Sequence, residues 1–386
     1  MPILNNGFRN TDKSGLHGFT RIKKTGFIRF ICPNPCTYIL VLNFLLPLFA
    51  KAQIGGGQSF SFLQLPPNAR TVAQGGVQVA SVGADASLWL SNPALNTDSA
   101  NYQAALQFQS LAGQALHTSL AYVLPVRKHQ RLGIGLQYIG YGQFQGFDPT
   151  GAPTGDFSAA EYLLALNYAH TIAPFTLGAT LKIAGSSVAA FNSTAVLADA
   201  GALFRHPRKD FSVGLTVRNI GFAMSNYTDA SDWVMPFDAQ LGISFKPEKM
   251  PLRFSLTAWQ LAPRGDIVYN DPSRPAGFDA NGNPLFNATN NFQRFTRRLV
   301  VGGELVLHPN FQLRTGYNVL HRQELGLAQR RALSGFSFGI MLKIKAIEFS
   351  YGYQVRHVAG GISAFGVVAD MRRLLPKKRQ RVEITD

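Results

Sequence analysis

The chain has 386 residues, with 37 Lys and Arg against 21 Asp and Glu and only two cysteines, Cys32 and Cys36. That length admits one large barrel as readily as two average domains, and a basic excess is no evidence for nucleic acid until its location is known. Cysteines so close to the N-terminus leave the rest of the chain without disulfides, thiolate metal sites or thiol chemistry.

Arg9, Lys13, Arg21, Lys23, Lys24 and Arg29 precede the apolar run Tyr38 to Phe49 (YILVLNFLLPLF), which leads into Ala50-Lys51-Ala52. Basic, apolar and A-x-A segments in that order predict a secretory signal peptide over 1–52, with a long basic n-region and cleavage before Gln53. The apolar run falls short of the roughly 20 residues that cross a bilayer as a helix. A chain that stays in a membrane therefore does so with strands. Residues 1–52 hold seven of the Lys and Arg and one Asp, so the net charge falls from +16 to +10 on cleavage, and both cysteines leave.

Residues 53–102 do not alternate. GGGQSFSFLQLPPNARTVAQGGVQVASVGADASLWLSNPALNTD is compact and glycine-punctuated, and it reads as a hatch, or plug, for the lumen of a barrel built by the remaining chain.

From about Tyr102 onward the chain alternates with period two. In FTLGATLKI, Phe175, Leu177, Ala179, Leu181 and Ile183 share one face, while Thr176, Gly178, Thr180 and Lys182 share the other. FSVGLTVR obeys the same rule, as do RLGIGLQY, FDAQLGISF, LRFSLTAW, RLVVGGELVL, FQLRTGY and IEFSYGYQ. Strands are predicted near 103–110, 117–125, 131–142, 159–170, 174–186, 194–205, 210–220, 237–247, 251–261, 297–308, 310–318, 333–344, 346–354 and 361–370. The fold class is all-β: a transmembrane outer-membrane β-barrel of about 14 antiparallel strands over 103–370.

The connections alternate as well. PVRKHQ, TIAP, HPRKD, KPEKM, HPN and KA are short, whereas 143–158, 187–193, 221–236, 262–296, 319–332 and 355–360 are mostly longer. Short turns on the periplasmic side and long loops outside are the outer-membrane pattern, and an even strand count puts both barrel ends in the periplasm. Tyr138, Tyr141, Tyr168, Tyr317 and Tyr353 fall toward strand ends, as an interfacial girdle requires.

Opposite the apolar stripe lie Lys182, Arg218, Asp238, Arg253, Glu304, Arg314, Lys343 and Glu348, among many glycines. Facing lipid, an Arg or Lys costs on the order of 2–4 kcal/mol at the midplane, so these charges are predicted to face the lumen, where both signs can pair.

The chain resembles known barrels at two levels. Ala69-Arg70, Gly75-Gly76 and Asn92-Pro93-Ala94 resemble the N-terminal hatch of FadL-like barrels, which have fourteen strands and a plugged lumen. GGGQSFSFLQLPPNAR, YGQFQGFDPTGAPTGDFSAAEYLLALNYAH, FSVGLTVRNIG, MPFDAQLGISFKPEKMPLRFSLT and RTGYNVLHRQELGL, in this order, resemble the PorQ-like barrels of the type IX secretion system of Bacteroidetes, over nearly all of 54–370. This resemblance implies a non-enzymatic outer-membrane scaffold of the cell-surface attachment complex, which holds the surface protein PorZ alongside PorU and PorV. PorU is the sortase that removes C-terminal signals and joins cargo to lipopolysaccharide. The chain departs from barrels that finish on their last strand, because Arg372 to Asp386 (RRLLPKKRQRVEITD) runs on as a basic tail.

Several motifs are weighed against plain structure. GFSFG around Ser337 matches the G-x-S-x-G of hydrolases, but Phe336, Phe338, Ile340, Leu342 and Ile344 carry the stripe straight through it, without the turn and helix that an elbow needs. The eight histidines are scattered without ligand spacing, and His129, His206 and His308 fall in turns. DANGN at 279–283 lacks the glycine position and the glutamate of a calcium loop. No cofactor is expected, and the tail fits a solvated segment, or contact with anionic headgroups or a periplasmic partner, rather than nucleic acid.

Two functions remain open. A scaffold would dock its partner on loop 262–296, where Asp266, Tyr269, Asp271, Phe278 and Phe286 mix polar and aromatic anchors. A transporter of hydrophobic small molecules needs an apolar pocket, and the charged, glycine-rich inner face argues against one. Asn92-Pro93-Ala94 is either a simple turn or the turn that fixes the hatch to the wall.

Overall fold

A computed structural model describes residues 59–111, 114–227, 234–262, 277–279, 284–285, 290–324, 333–357 and 360–374. The signal segment, Asp266, Tyr269, Asp271 and Phe286, DANGN beyond Asp279, and the tail from 375 lie outside these residues.

The strands are β1 (Gln103–Ser110), β2 (Leu116–Arg127), β3 (Gln130–Phe147), β4 (Pro153–Ile172), β5 (Phe175–Val188), β6 (Phe191–Arg205), β7 (Phe211–Ser225), β8 (Asp238–Phe245) and β9 (Leu252–Ala258). After a small hairpin of β10 (Gly277–Phe278) and β11 (Pro284–Leu285) come β12 (Leu299–His308), β13 (Phe311–Asn318), β14 (Phe336–Ile344), β15 (Ile347–His357) and β16 (Gly360–Asp370). All but β10 and β11 form one closed antiparallel barrel of 14 strands, in which β1 pairs with both β2 and β16. Closure leaves no unpaired edge, the condition for strands to cross hydrocarbon.

The period-two pattern sets which way each strand faces. Leu132, Ile134, Leu136 and Tyr138 of β3 are exposed, while the alternating Gly133 and Gly135 are buried. Leu164, Leu166, Leu181, Leu215, Leu241, Ile243, Phe254, Phe338, Ile340 and Phe365 continue this stripe on other strands. Apolar exposure on this scale is foreign to a soluble monomer and is the ordinary outer band of a membrane barrel. No helix among the described residues is long and apolar enough to cross a membrane.

Two connections differ from expectation. Segment 143–158 is largely an extension of β3 and β4 past a bulge between Gly140 and Gln143, closed by stacked Phe144 and Phe157 rings with centroids 5.5 Å apart. Both faces there are exposed, so burial imposes no alternation for the eye to find. Segment 187–193 is a tight hairpin, with Val188 paired to Phe191 and Ala189 at φ 53°. Long loops therefore do not occur at every connection on that end.

Inside the barrel, residues 59–100 form a series of single turns rather than a long element. The helix Ala69–Ala73 is capped by Asn68, whose side chain accepts from Thr71 N. The 3-10 turn Ala86–Leu90 is capped by Asp85, and Pro93–Leu95 by Asn92, with Pro93 at its first position. The caps on these three turns satisfy backbone donors that burial would otherwise leave unpaired.

Candidate functional site: the plug and the wall that holds it

The plug is gripped by polar groups at its centre and by glycines around it. Arg70, on the short helix, donates from Nε to Glu304 Oε1 at 2.8 Å and from Nη2 to Oε2 at 3.1 Å, and from Nη2 also to Ser81 Oγ at 2.7 Å. Glu304 on β12 is fully buried and also engages Arg253 at 3.0 Å and Arg314 at 3.3 Å. A carboxylate stripped of water is tolerable only when paired and hydrogen-bonded in this way. A second buried cluster joins Lys182 Nζ to Asp199, with Asn219 Oδ1 accepting from Lys182 at 3.1 Å and Asp199 Oδ1 accepting from Asn219 N at 2.8 Å. Arg218 lies 4.0 Å from Asp199 and reaches the plug carbonyls of Leu63 and Leu90, both at 3.4 Å.

Of the eight predicted lumen charges, Lys182, Arg218, Arg253, Glu304 and Arg314 lie in these two clusters, and Asp238 is buried beside Gln240, whose Nε2 donates at 2.6 Å. Lys343 and Glu348, paired across β14 and β15, instead line a recess of about 180 Å³ at the turn end, together with Lys345, Asp370, Arg372 and Arg373. Sequence reasoning missed the charge role of Arg70, which lies outside the alternating strands, and that of Asp199, although its inward phase on β6 could have marked it.

Asn92-Pro93-Ala94 sits directly on the wall. Asn92 Nδ2 donates to Val79 O at 2.8 Å, Pro93 O accepts from Asn167 Nδ2 at 3.3 Å, and Asn96 Nδ2 donates to Asn167 Oδ1 at 2.7 Å. A Cβ on Gly178 of β5 would overlap the Pro93 carbonyl, and one on Gly201 of β6 would overlap Asn92 Oδ1. Gly133 and Gly135 make room for Trp89 in the same way, and Gly214 for Val79. A glycine inside a strand marks close approach by another backbone or side chain, and this is the signal that the sequence carries for these contacts.

Ser337 faces this interior. It is buried and donates from Oγ to Ala73 O at 3.0 Å, capping the plug helix, and the strand runs straight through it. Among the described residues no group of three or more His, Cys, Asp or Glu could hold a metal ion. His206 Nδ1 accepts from Arg208 N and Lys209 N, and His308 Nδ1 accepts from Asn310 N, so both close turns.

Two expectations about side chains are corrected. Tyr141 does not join the girdle: two residues after buried Ile139 it shares the inward phase of β3, packs on the lumen cluster and donates to Glu161. The inner face is also not uniformly polar. Ile139, Leu163 and Leu197 are buried with Ala184, Ala195 and Met235 in an apolar recess that Phe60, Phe62 and Leu63 of the plug fill. Phe278, in the small hairpin, is exposed.

No family model matches the chain, and no curated protein does. Among solved structures it is similar to "TodX monoaromatic hydrocarbon channel deltaS2 mutant", with 15% identity, a TM-score of 0.50, and coverage of 79% of this chain and 98% of that one. It also matches "TodX deltaS2S3 mutant monoaromatic hydrocarbon channel", with 12% identity, a TM-score of 0.48, and coverage of 78% and 97%. A further match is "Crystal structure of a Pseudomonas aeruginosa FadL homologue", with 11% identity, a TM-score of 0.42, and coverage of 78% and 95%. The chain is thus an all-β, 14-stranded antiparallel closed barrel of the FadL-like fold, with the topology of outer-membrane barrels.

Proposed function

We propose that the protein is a transport-type barrel of the outer membrane that rests closed, a gated passage for small apolar molecules. The apolar recess carries this reading: Phe60 and Phe62 lie against Ile139, Leu163 and Leu197, where the strand pattern predicts a polar lumen. Withdrawal of the Phe60–Leu63 arm would open a concave, mostly apolar site beside a few polar groups, the composition of small-molecule pockets. The fold shared with a hydrocarbon channel supports it. In proteoliposomes, Phe60→Ala with Phe62→Ala should admit a monoaromatic hydrocarbon such as toluene faster than the unaltered protein. If both versions leave uptake at the protein-free rate, the reading fails.

A second reading is a scaffold of the type IX attachment complex, docking PorZ on its outer loops in one complex with PorU and PorV. The ordered segments that resemble PorQ-like barrels support it. So does the packing of the plug against the wall near Leu65, Val77, Arg218, Asp238 and Trp259, where the cavity between them measures about 20 Å³. A barrel that works as a scaffold has no need of a lumen. Deleting residues 265–292 should leave the barrel in the membrane and release PorZ from the surface, and undiminished retention of PorZ would sink this reading.

A further inference from the structure

The short-turn end of the barrel carries a ring of cations that neither reading uses. Arg127 and Lys128 stand at the β2–β3 turn, Arg208 and Lys209 at β6–β7, Lys249 at β8–β9 and Lys345 at β14–β15, all exposed. None of the six forms an ion pair among the described residues, in contrast to Arg372 and Arg373, which share Asp370. The acids in the same turns are Asp210, which already engages Arg253, and Glu248.

The position of these cations selects the partner. Arg127 and Lys128 directly succeed exposed Val126; Lys249 precedes exposed Met250; Lys345 succeeds exposed Ile344. Arg208 and Lys209 lie between Phe204 and Phe211, whose rings meet those of the exposed Phe175 and Phe245 at centroid distances of 5.3 and 6.4 Å. A strand rises about 3.3 Å per residue, so each cation sits within a few steps of the hydrocarbon-facing band. That is the depth of lipid phosphates, and Lys and Arg stems reach it with their apolar carbons along the barrel. The four turns are also spread around the circumference rather than gathered on one side. Cations that follow the edge of the apolar band around the barrel match a lipid leaflet, whereas a compact acidic protein would cover one sector.

We propose that this ring binds the phosphates of anionic phospholipids in the leaflet at the turn end, fixing the depth and tilt of the barrel. The test uses the full-length barrel, purified from mixed micelles of phosphatidylglycerol and phosphatidylcholine, with retained lipid counted by mass spectrometry. The unaltered protein should keep phosphatidylglycerol preferentially. A variant with Arg127, Lys128, Arg208, Lys209, Lys249 and Lys345 all changed to Gln should lose about threefold or more of it, given the attraction of each basic residue to an anionic surface. Should the sixfold variant not fold, Lys209→Gln with Lys249→Gln and Lys345→Gln serves instead, with folding checked by heat-modified gel mobility. Equal retention by variant and parent overturns the proposal. Displacement of the lipid by equimolar inorganic phosphate would assign the ring to soluble phosphate, and loss of an acidic periplasmic protein at unchanged lipid retention would assign it to that protein. Either result overturns the proposal too.

Discussion

Arg70 of the plug and Glu304 of β12 are 234 residues apart in sequence and form a two-point, buried ion pair at 2.8 and 3.1 Å. Arg253 and Arg314 converge on the same carboxylate, so plug and wall share one negative charge. Replacing Glu304 by Gln leaves three guanidiniums without it, and breaking a buried pair typically costs about 3–5 kcal/mol. The urea midpoint of the detergent-solubilised barrel should fall, and trypsin should reach the plug. In a double-mutant cycle with Arg70→Ala, a coupling energy near zero would show that the two residues act independently.

Gly201 lets the Asn92 side chain touch the backbone of β6. With Gly201→Val the added carbons collide with Asn92 Oδ1, and the turn must move off the wall. Overpacking of this kind costs about 1–3 kcal/mol. Faster proteolysis within 85–100, with the barrel itself still heat-modifiable, is the expected readout; an unchanged cleavage rate would show that the turn is not held there.

Ser337 and Phe338 are neighbours on opposite faces of β14. Ser337→Ala removes one hydrogen bond to Ala73 O and should cost about 1 kcal/mol, with no change in hydrolysis of any ester. Phe338→Arg places a charge on the exposed stripe and should cost about 2–4 kcal/mol if that position lies near the midplane. Reversible urea unfolding in lipid vesicles measures both, and equal effects would contradict the assigned faces.

His321 lies on the short helix Val319–Glu324, beyond the membrane-spanning strands, edge-on to Trp259 at 5.8 Å. Burial, helped by the positive Arg356, pushes its pKa down from 6.5 to about 3. The folded protein therefore keeps His321 neutral while the unfolded chain takes up a proton below pH 6.5, so stability is full above 6.5 and declines as pH falls from 6.5 toward 3. At pH 4.5 the loss amounts to about 3 kcal/mol. His321→Gln should flatten this part of the stability profile, and an unaltered slope would place the acid sensitivity elsewhere.

The sequence by itself determined the strands, their number and their two faces. Hydrocarbon outside and a packed interior impose opposite demands on alternate residues, and Phe336 to Ile344 records those demands residue by residue. It also marked Asn92-Pro93-Ala94, the inward charges and, through its glycines, the places where the wall is thinned. Only the tertiary structure decided which charges meet. Arg70 finds Glu304 because the plug fills a closed 14-stranded ring that brings chain-distant positions to one depth, whereas Lys182 meets Asp199 across the β5–β6 hairpin. No local pattern encodes that depth. The same holds for the apolar recess under Phe60 and Phe62, assembled from single inward residues of separate strands.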